Sequence, residues 1–250
     1  MARILFKTLF AVMVGTVLTM GQAVAAEFTV TVKNLTNGIY FTPLLITAHD
    51  GNTHLFETGS PASPALQAMA EGGDFSKLLA MVGGEDRDTK ANPAGGLAPG
   101  GIVSNIYFNT NQTRNRYLSL TAMLLPTNDG FVGLDSLRIP RIPGTYRYYL
   151  VGYDAGTEAN DEIVNGGGMP NTPGIPADPG GNAGSGGTGV AGADKNSTVH
   201  IHRGVIGDTD PIGGISDLDS AIHRWLNPVA EVVIEVQPRK RHDRDNEDDD

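Results

Sequence analysis

Apolar and polar residues alternate from Phe28 to Lys33, with Phe28, Val30 and Val32 on one side and Thr29, Thr31 and Lys33 on the other. A period of two predicts a strand with one buried face. Asn34-Leu35-Thr36-Asn37-Gly38 predicts a turn. The run 39–48 is extended, and Pro43 places it at an edge or a bulge. The period changes over 63–81. Leu66, Met69 and Ala70 form one helical stripe, and Leu78, Leu79 and Val82 form a second. Gly72-Gly73-Asp74 separates the two short helices, with Asp74 or Ser76 as the second cap. Residues 83–101 are polar and rich in Gly and Pro, which predicts a loop. Further strands are predicted at 102–109, 117–125, 144–153, 199–205 and 229–236. In the second of these, Leu118, Leu120, Ala122 and Leu124 point one way. The stretch 217–225 predicts one or two helical turns with Ala221, Ile222 and Trp225 on a face. Residues 166–193, rich in Gly and Pro with almost no large apolar side chain, read as a flexible insertion. Strands dominate, and no βαβ rhythm or internal repeat is present. The fold class is therefore all-β, an antiparallel β-sandwich with short helices in one connection.

The two ends of the chain read differently. Arg3 and Lys7, the apolar run Leu9–Leu18 and the small-residue site Ala23-Val24-Ala25 make residues 1–26 a secretory signal peptide. The run is short of the roughly 20 apolar residues of a spanning helix. The expectation is a secreted or periplasmic domain over 27–237, with no transmembrane segment in the mature chain. Residues 238–250 are charged and lack large apolar side chains, so they cannot offset their own ordering entropy and read as a disordered tail. The chain contains no cysteine, which excludes a disulfide framework. Formal charge is −10, and removal of Arg3 and Lys7 takes it to −12. That balance argues against nucleic acid, whose phosphates require clustered Lys and Arg. It suits divalent cations or cationic partners.

Two acidic loops carry the candidate chemistry. The run from Leu125 to Leu137 contains Asn128-Asp129-Gly130, and the run from Gly152 to Glu158 contains Asp154-Ala155-Gly156. Each begins where a strand-like run ends, and together they look like two halves of an oxygen-ligand cation site. Two carboxylates about 5 Å apart repel by about 3 kcal/mol at an effective dielectric near 20, so a cation, a shared proton or an arginine is needed between them. Calcium takes six to eight oxygens, backbone carbonyls included. The metal candidates are Asp129, Asp154 and Glu158, with Asp135, Asp161 and Asn128 as further oxygen donors. A site with two or three carboxylates is expected to bind Ca2+ at roughly 10⁻⁴ to 10⁻³ M. The alternative is that both aspartates only form turns. Asp135 is also a candidate brace for its loop.

Other chemistries are less well supported by the residues. His200-x-His202 has a zinc-like spacing, and His49, His54 and His223 are candidate third ligands, but no H-E-x-x-H motif accompanies them. Ser60, Ser63, Ser104, Ser119 and Ser136 lie outside any G-x-S-x-G elbow. The Gly-rich run lacks a phosphate-loop lysine arrangement. A hydrolase using Asp129 and Asp154 remains as the catalytic alternative. Phe131 reads as a core anchor of the first loop.

The stretch Met123–Leu137 resembles the signature of the spondin domain family, a strand followed by a P-S-P-D-W-F-V-G-V-D-S-L type loop. Tyr153-Asp154-Ala155-Gly156-Thr157-Glu158 resembles that family's Y-D-A-G-T-D segment. Ala48-His49, Ala70-Glu71-Gly72-Gly73 and the proline-led strand from Asn227 to Val232 are weaker matches, and the whole resemblance spans Phe28 to Val236. It implies a C2-like β-sandwich with calcium at one end, in secreted proteins of cell adhesion and recognition, without typical enzymatic activity. On this resemblance Asp129 and Asp154 match the calcium-ligand aspartates. The family's third ligand, a glutamate, falls by spacing near Thr110, flanked by Asn109 and Asn111, where no carboxylate stands. The functional expectation is a calcium-binding domain that recognises a surface glycan or protein. A structural protein with a loop-stapling metal is the alternative.

Overall fold

The computed structural model describes residues 27–86, 88–181, 184–190 and 197–238. The signal peptide expected at 1–26 and the tail expected at 238–250, apart from Pro238, lie outside the described residues. In chain order the elements are β1 (Glu27–Asn34), β2 (Tyr40–Phe41), β3 (Leu45–His49), α1 (Pro64–Gly72), α2 (Ser76–Met81), β4 (Thr89–Ala91), β5 (Ile102–Asn109), β6 (Tyr117–Leu125), β7 (Gly130–Arg138), β8 (Gly144–Leu150), β9 (Gly152–Asp154), β10 (His200–Ile201) and β11 (Ala230–Val236). Among the described residues they form two antiparallel sheets. One has the order β5-β1-β11-β8, the other β10-β9-β7-β6-β3-β4, with β2 paired to β6.

The alternation in β1 produces the sandwich. Phe28, Val30 and Val32 are fully buried and meet Leu118, Leu120, Ala122 and Leu124 of β6 in one core, together with Phe108, Val232 and Ile234. Phe28 and Phe108 stack at 5.1 Å between ring centres. The β6–β3 sheet departs from a one-sided pattern. All five residues of β3 are buried, and Met123 and Phe131 are buried on the face turned away from the first core. The reason is a third layer: α1 and α2 lay Leu66, Met69, Ala70 and Leu78 over that face. Ser63 caps α1 by accepting the Leu66 N–H at 3.1 Å, Pro64 opens it, and Gly73, with φ of 72°, closes it. Asp74 accepts the Ser76 N–H at 2.9 Å at the start of α2.

Five expectations change. The first acidic loop, expected over 125–137, ends at Asp129, and Gly130–Arg138 is β7, paired with β6. The loop expected over 83–101 contains β4, paired with β3. The single strand expected over 144–153 is two. β8 pairs with β11 in one sheet and β9 with β7 in the other, so the chain crosses the sandwich at Val151. The strand expected over 199–205 is only His200–Ile201. The helical face expected over 217–225 is a turn, in which Trp225 is buried and Ile222 is 45 % exposed. These short pieces give no periodicity long enough to override tertiary contacts.

The connections define two poles. β5 ends at Asn109 and β6 starts at Tyr117, so the 110–116 turn lies at one pole. β6 then runs nine residues to Leu125 at the other, roughly 30 Å away at about 3.3 Å per residue. Both acidic loops are at this second pole. β1 begins and β11 ends at the first, where Phe28 pairs with Val236. Among the described residues no helix is long and apolar enough to cross a membrane.

Candidate functional site

The first acidic loop is built by a threonine and a glycine. Thr127 Oγ1 donates to the Leu124 carbonyl at 2.6 Å and accepts the Gly130 N–H at 3.0 Å. A Cβ at position 130 would lie 2.6 Å from that hydroxyl, so the residue after Asp129 must be glycine for the loop to close. Register places Gly130 opposite Asp154 on β9, and the Asp129 carbonyl accepts the Ala155 N–H at 3.2 Å. The ladder itself therefore sets Asp129 beside Asp154.

The second loop wraps the first loop's carboxylate. Asp129 Oδ2 accepts the backbone N–H groups of Thr157 at 2.7 Å and Glu158 at 3.1 Å, plus the Thr157 hydroxyl at 3.1 Å. Asp154 Oδ1 accepts the Gly156 N–H at 2.7 Å. Gly156 turns the chain at φ of 70°, with no room for a Cβ against Thr198. Asp154 Oδ2 accepts the Asn160 amide at 2.8 Å, and His200 Nε2 stands 3.7 Å from it. Asn128 donates to Asp161 at 2.8 Å and accepts the Glu162 N–H at 3.3 Å. The Gly/Pro-rich segment closes over this pole: the Gly174 N–H donates to Glu158 Oε2 at 3.2 Å. Beneath it, Phe56, Phe131 and Tyr153 pack at 4.9–5.5 Å between ring centres, with Phe131 in the core as the sequence predicts.

Among the described residues, two carboxylate oxygens of these loops have no hydrogen-bond partner. Asp129 is fully buried, and its Oδ1 accepts no hydrogen bond. Glu158 Oε1 is buried and equally unsatisfied. Burial first, then the neighbouring Asp154 charge, pushes the Asp129 carboxyl up to about 7, against the lowering effect of the Thr157 and Glu158 N–H groups. Glu158 is also pushed up to about 7, by burial above all, with Glu71 and Asp129 adding repulsion. Glu71 is thus part of the same acidic neighbourhood. It is fully buried on α1 and accepts from the Gln67 amide at 2.8 Å and the Asn171 N–H at 3.1 Å. Its position in the Ala70–Gly73 element is the only sequence signal that could have found it.

The other sequence candidates are dispersed. Asp135 lies toward the far end of β7 and braces the 54–55 turn, accepting from Leu55 N–H at 2.9 Å and meeting His54 Nδ1 at 2.6 Å. It is not beside Asp129. Thr110, with Asn109, belongs to the pole opposite the acidic loops, so the spacing that placed a third ligand there is overturned by the strand order. The histidines do not gather: His49 meets Ser119 at 2.7 Å, His202 packs on Trp225, and His223 faces Asp178. Among the described residues no group of three or more His, Cys, Asp or Glu side chains is set to hold a metal ion. Ser136, His54 and Asp135 do not form a serine relay, since Ser136 and Asp135 both meet the same nitrogen of His54, at 3.2 and 2.6 Å. A base must face the nucleophile and its orienting group through different nitrogens.

What this arrangement offers chemically is an oxygen-only donor set with unsatisfied buried charge, suited to a hard cation. No curated protein matches the chain. A family model, Spondin_N, matches residues 31–173, which span β1 through β9 and both acidic loops. With more than half of its length matched and the two-sheet sandwich in place, the chain belongs to the Spondin_N family, a domain type of secreted, extracellular proteins.

Proposed function

We propose that this domain binds calcium between its two acidic loops and uses the loops so ordered to recognise a surface glycan or protein outside the cytoplasm. The observation that carries the reading is the pair of orphaned buried oxygens, Asp129 Oδ1 and Glu158 Oε1, in a neighbourhood shared with Asp154. An uncompensated buried carboxylate is destabilising by several kcal/mol, and a cation relieves that cost. Asp129, Asp154 and Glu158 would hold the ion; among the described residues the three are not preset as a ligand group, so binding would draw them together. Three carboxylates are too few to fill a calcium shell, so amide oxygens such as that of Asn128, backbone carbonyls and water complete it. The Spondin_N family is not known for enzymatic activity, which agrees with a recognition role.

Calorimetric titration with calcium tests the ion, with Asp129→Ala and Asp154→Ala as controls. Saturable heat at submillimolar to millimolar calcium, absent in both variants, is the expected result. No heat above buffer removes the cation from the reading. A glycan array with and without chelator then tests recognition. Signals lost in chelator support it, and blank arrays in both conditions leave the metal as a staple of the loops.

A further inference from the structure

The loop pole holds a second feature that calcium does not explain. A cavity of about 270 Å3 lies between Asp178–Gly181 and the 208–223 loop. Its lining includes Asp178, Asp208, Asp210, Asp217, Asp219 and His223, and among the described residues no lysine or arginine. Two of these carboxylates are already saturated. Asp217 accepts the N–H groups of Val164, Ser185, Gly186 and Gly187 at 2.7–2.9 Å. Asp208 accepts those of Asp210, Ile215 and Ser216 at 2.7–3.0 Å.

Asp178 is different. Its side chain is 4 % exposed, and its Oδ1 is buried without a hydrogen bond. The facing group is His223 Nε2, at 3.6 Å, too far for a hydrogen bond. His223 Nδ1 accepts the Asp219 N–H at 3.0 Å, which puts the ring proton on Nε2, the nitrogen facing Asp178. Among the described residues, Asp178 Oδ1 is therefore a buried carboxylate oxygen without a hydrogen bond and with no lysine or arginine in the cavity lining around it. Asp210 and Asp219 add negative charge around the cavity, and Leu218 and Ile222 supply apolar wall. The carboxylates do not converge on one point, since no three of them are set to hold a metal ion among the described residues. Spread charge along an apolar wall fits an elongated cation better than a compact one. The volume is just below the usual lower bound of about 300 Å3 for ligand pockets, so the occupant is small.

We propose that this cavity binds a primary alkylammonium group, with the ammonium on Asp178 and the methylene stem against Leu218 and Ile222. The same chemistry is carried by a free aliphatic diamine and by a lysine side chain of a partner. Calorimetry on the calcium-loaded chain, with 1,5-diaminopentane in one arm and Nα-acetyl-lysine methylamide in the other, tests it. The expected result is saturable one-to-one binding that Asp178→Asn weakens by about tenfold or more and that Glu235→Gln, at an exposed position of β11 outside the cavity, leaves unchanged. Tighter binding of the diamine identifies a free amine as the ligand, and tighter binding of the lysine derivative identifies a partner side chain. No heat with either probe, equal affinity in Asp178→Asn, or one-for-one displacement of the amine by calcium overturns the proposal. If Asp178→Asn melts well below the parent chain, the double variant Asp210→Asn/Asp219→Asn replaces it. Binding weakened severalfold is then expected, and unchanged affinity overturns the proposal.

Discussion

At the scale of single residues, Asp129 gathers the largest consequences. Its Oδ2 is held by three donors and its Oδ1 by none. Asp129→Asn keeps the shape and removes the uncompensated charge. In chelator the variant should melt no lower than the parent, and higher by a few degrees, while calcium no longer raises its melting temperature; thermal melts with and without chelator read both. The pH dependence follows from the same group. The folded-state pKa of Asp129 is raised to about 7, above its ordinary value near 3.9, so the folded state holds the proton more tightly than the unfolded chain does. The associated stability is full below about pH 4 and is lost as pH rises through about 7. Glu158, also near 7, acts in the same direction. Calcium-free protein should therefore gain stability from pH 8 down to about pH 5.5, and calcium affinity should fall over that interval as protons compete. A calcium-free melting temperature that falls steadily from pH 8 to 5.5 would contradict this. Asp74, Asp208 and Asp217, all held below the usual carboxylate range, act only at lower pH.

At the scale of elements, most regular strands were legible, but β7 was read as loop because its Gly and Asp positions interrupt the alternation, and the long excursion after β9 was not legible. β1, β5, β6 and β11 each carry alternating or β-branched apolar residues over seven to nine positions, enough for period to decide. Helix α1 was legible from its stripe and the Gly73 stop. The acidic loops were legible from Asp-Gly and Asp-Ala-Gly together with their resemblance to a family motif. Among the described residues between 158 and 218, by contrast, carboxylates grip backbone N–H groups, an interaction without a period. Glu162 accepts from Ile206 and Gly207 N–H and from the Ser216 hydroxyl at 2.5–2.8 Å. Asp217 grips three consecutive N–H groups, Ser185 to Gly187. Burial raises the Asp217 carboxyl, and these N–H groups outweigh it to hold the carboxyl low. Hydrogen bonds to a charged acceptor contribute about 1.5–3 kcal/mol each, with partial replacement by water here. Asp217→Ala should cost about 2–4 kcal/mol in urea unfolding and speed proteolysis within 184–190. Unchanged cleavage would mean the grip is incidental.

At the scale of the whole molecule, the proposed calcium site would couple ion binding to folding. Binding only to the folded state at a Kd of 10⁻⁴ to 10⁻³ M stabilises by about 1.5–3 kcal/mol at about 10 mM calcium. For a domain of this length that is a rise of roughly 3–10 °C in melting temperature. The shift should follow the logarithm of calcium concentration and vanish in Asp154→Ala. The pairing of the first and last strands has a mechanical consequence. β1 and β11 are antiparallel neighbours whose outer ends meet at one pole, where Gln237 donates to the Glu27 carbonyl at 2.9 Å. A load applied through both ends of the domain therefore pulls that ladder open one rung at a time, as a zipper, and never shears it as a block. Under tension the sandwich should yield at low force from that pole, while the acidic loops roughly 30 Å away are the last part to feel the pull.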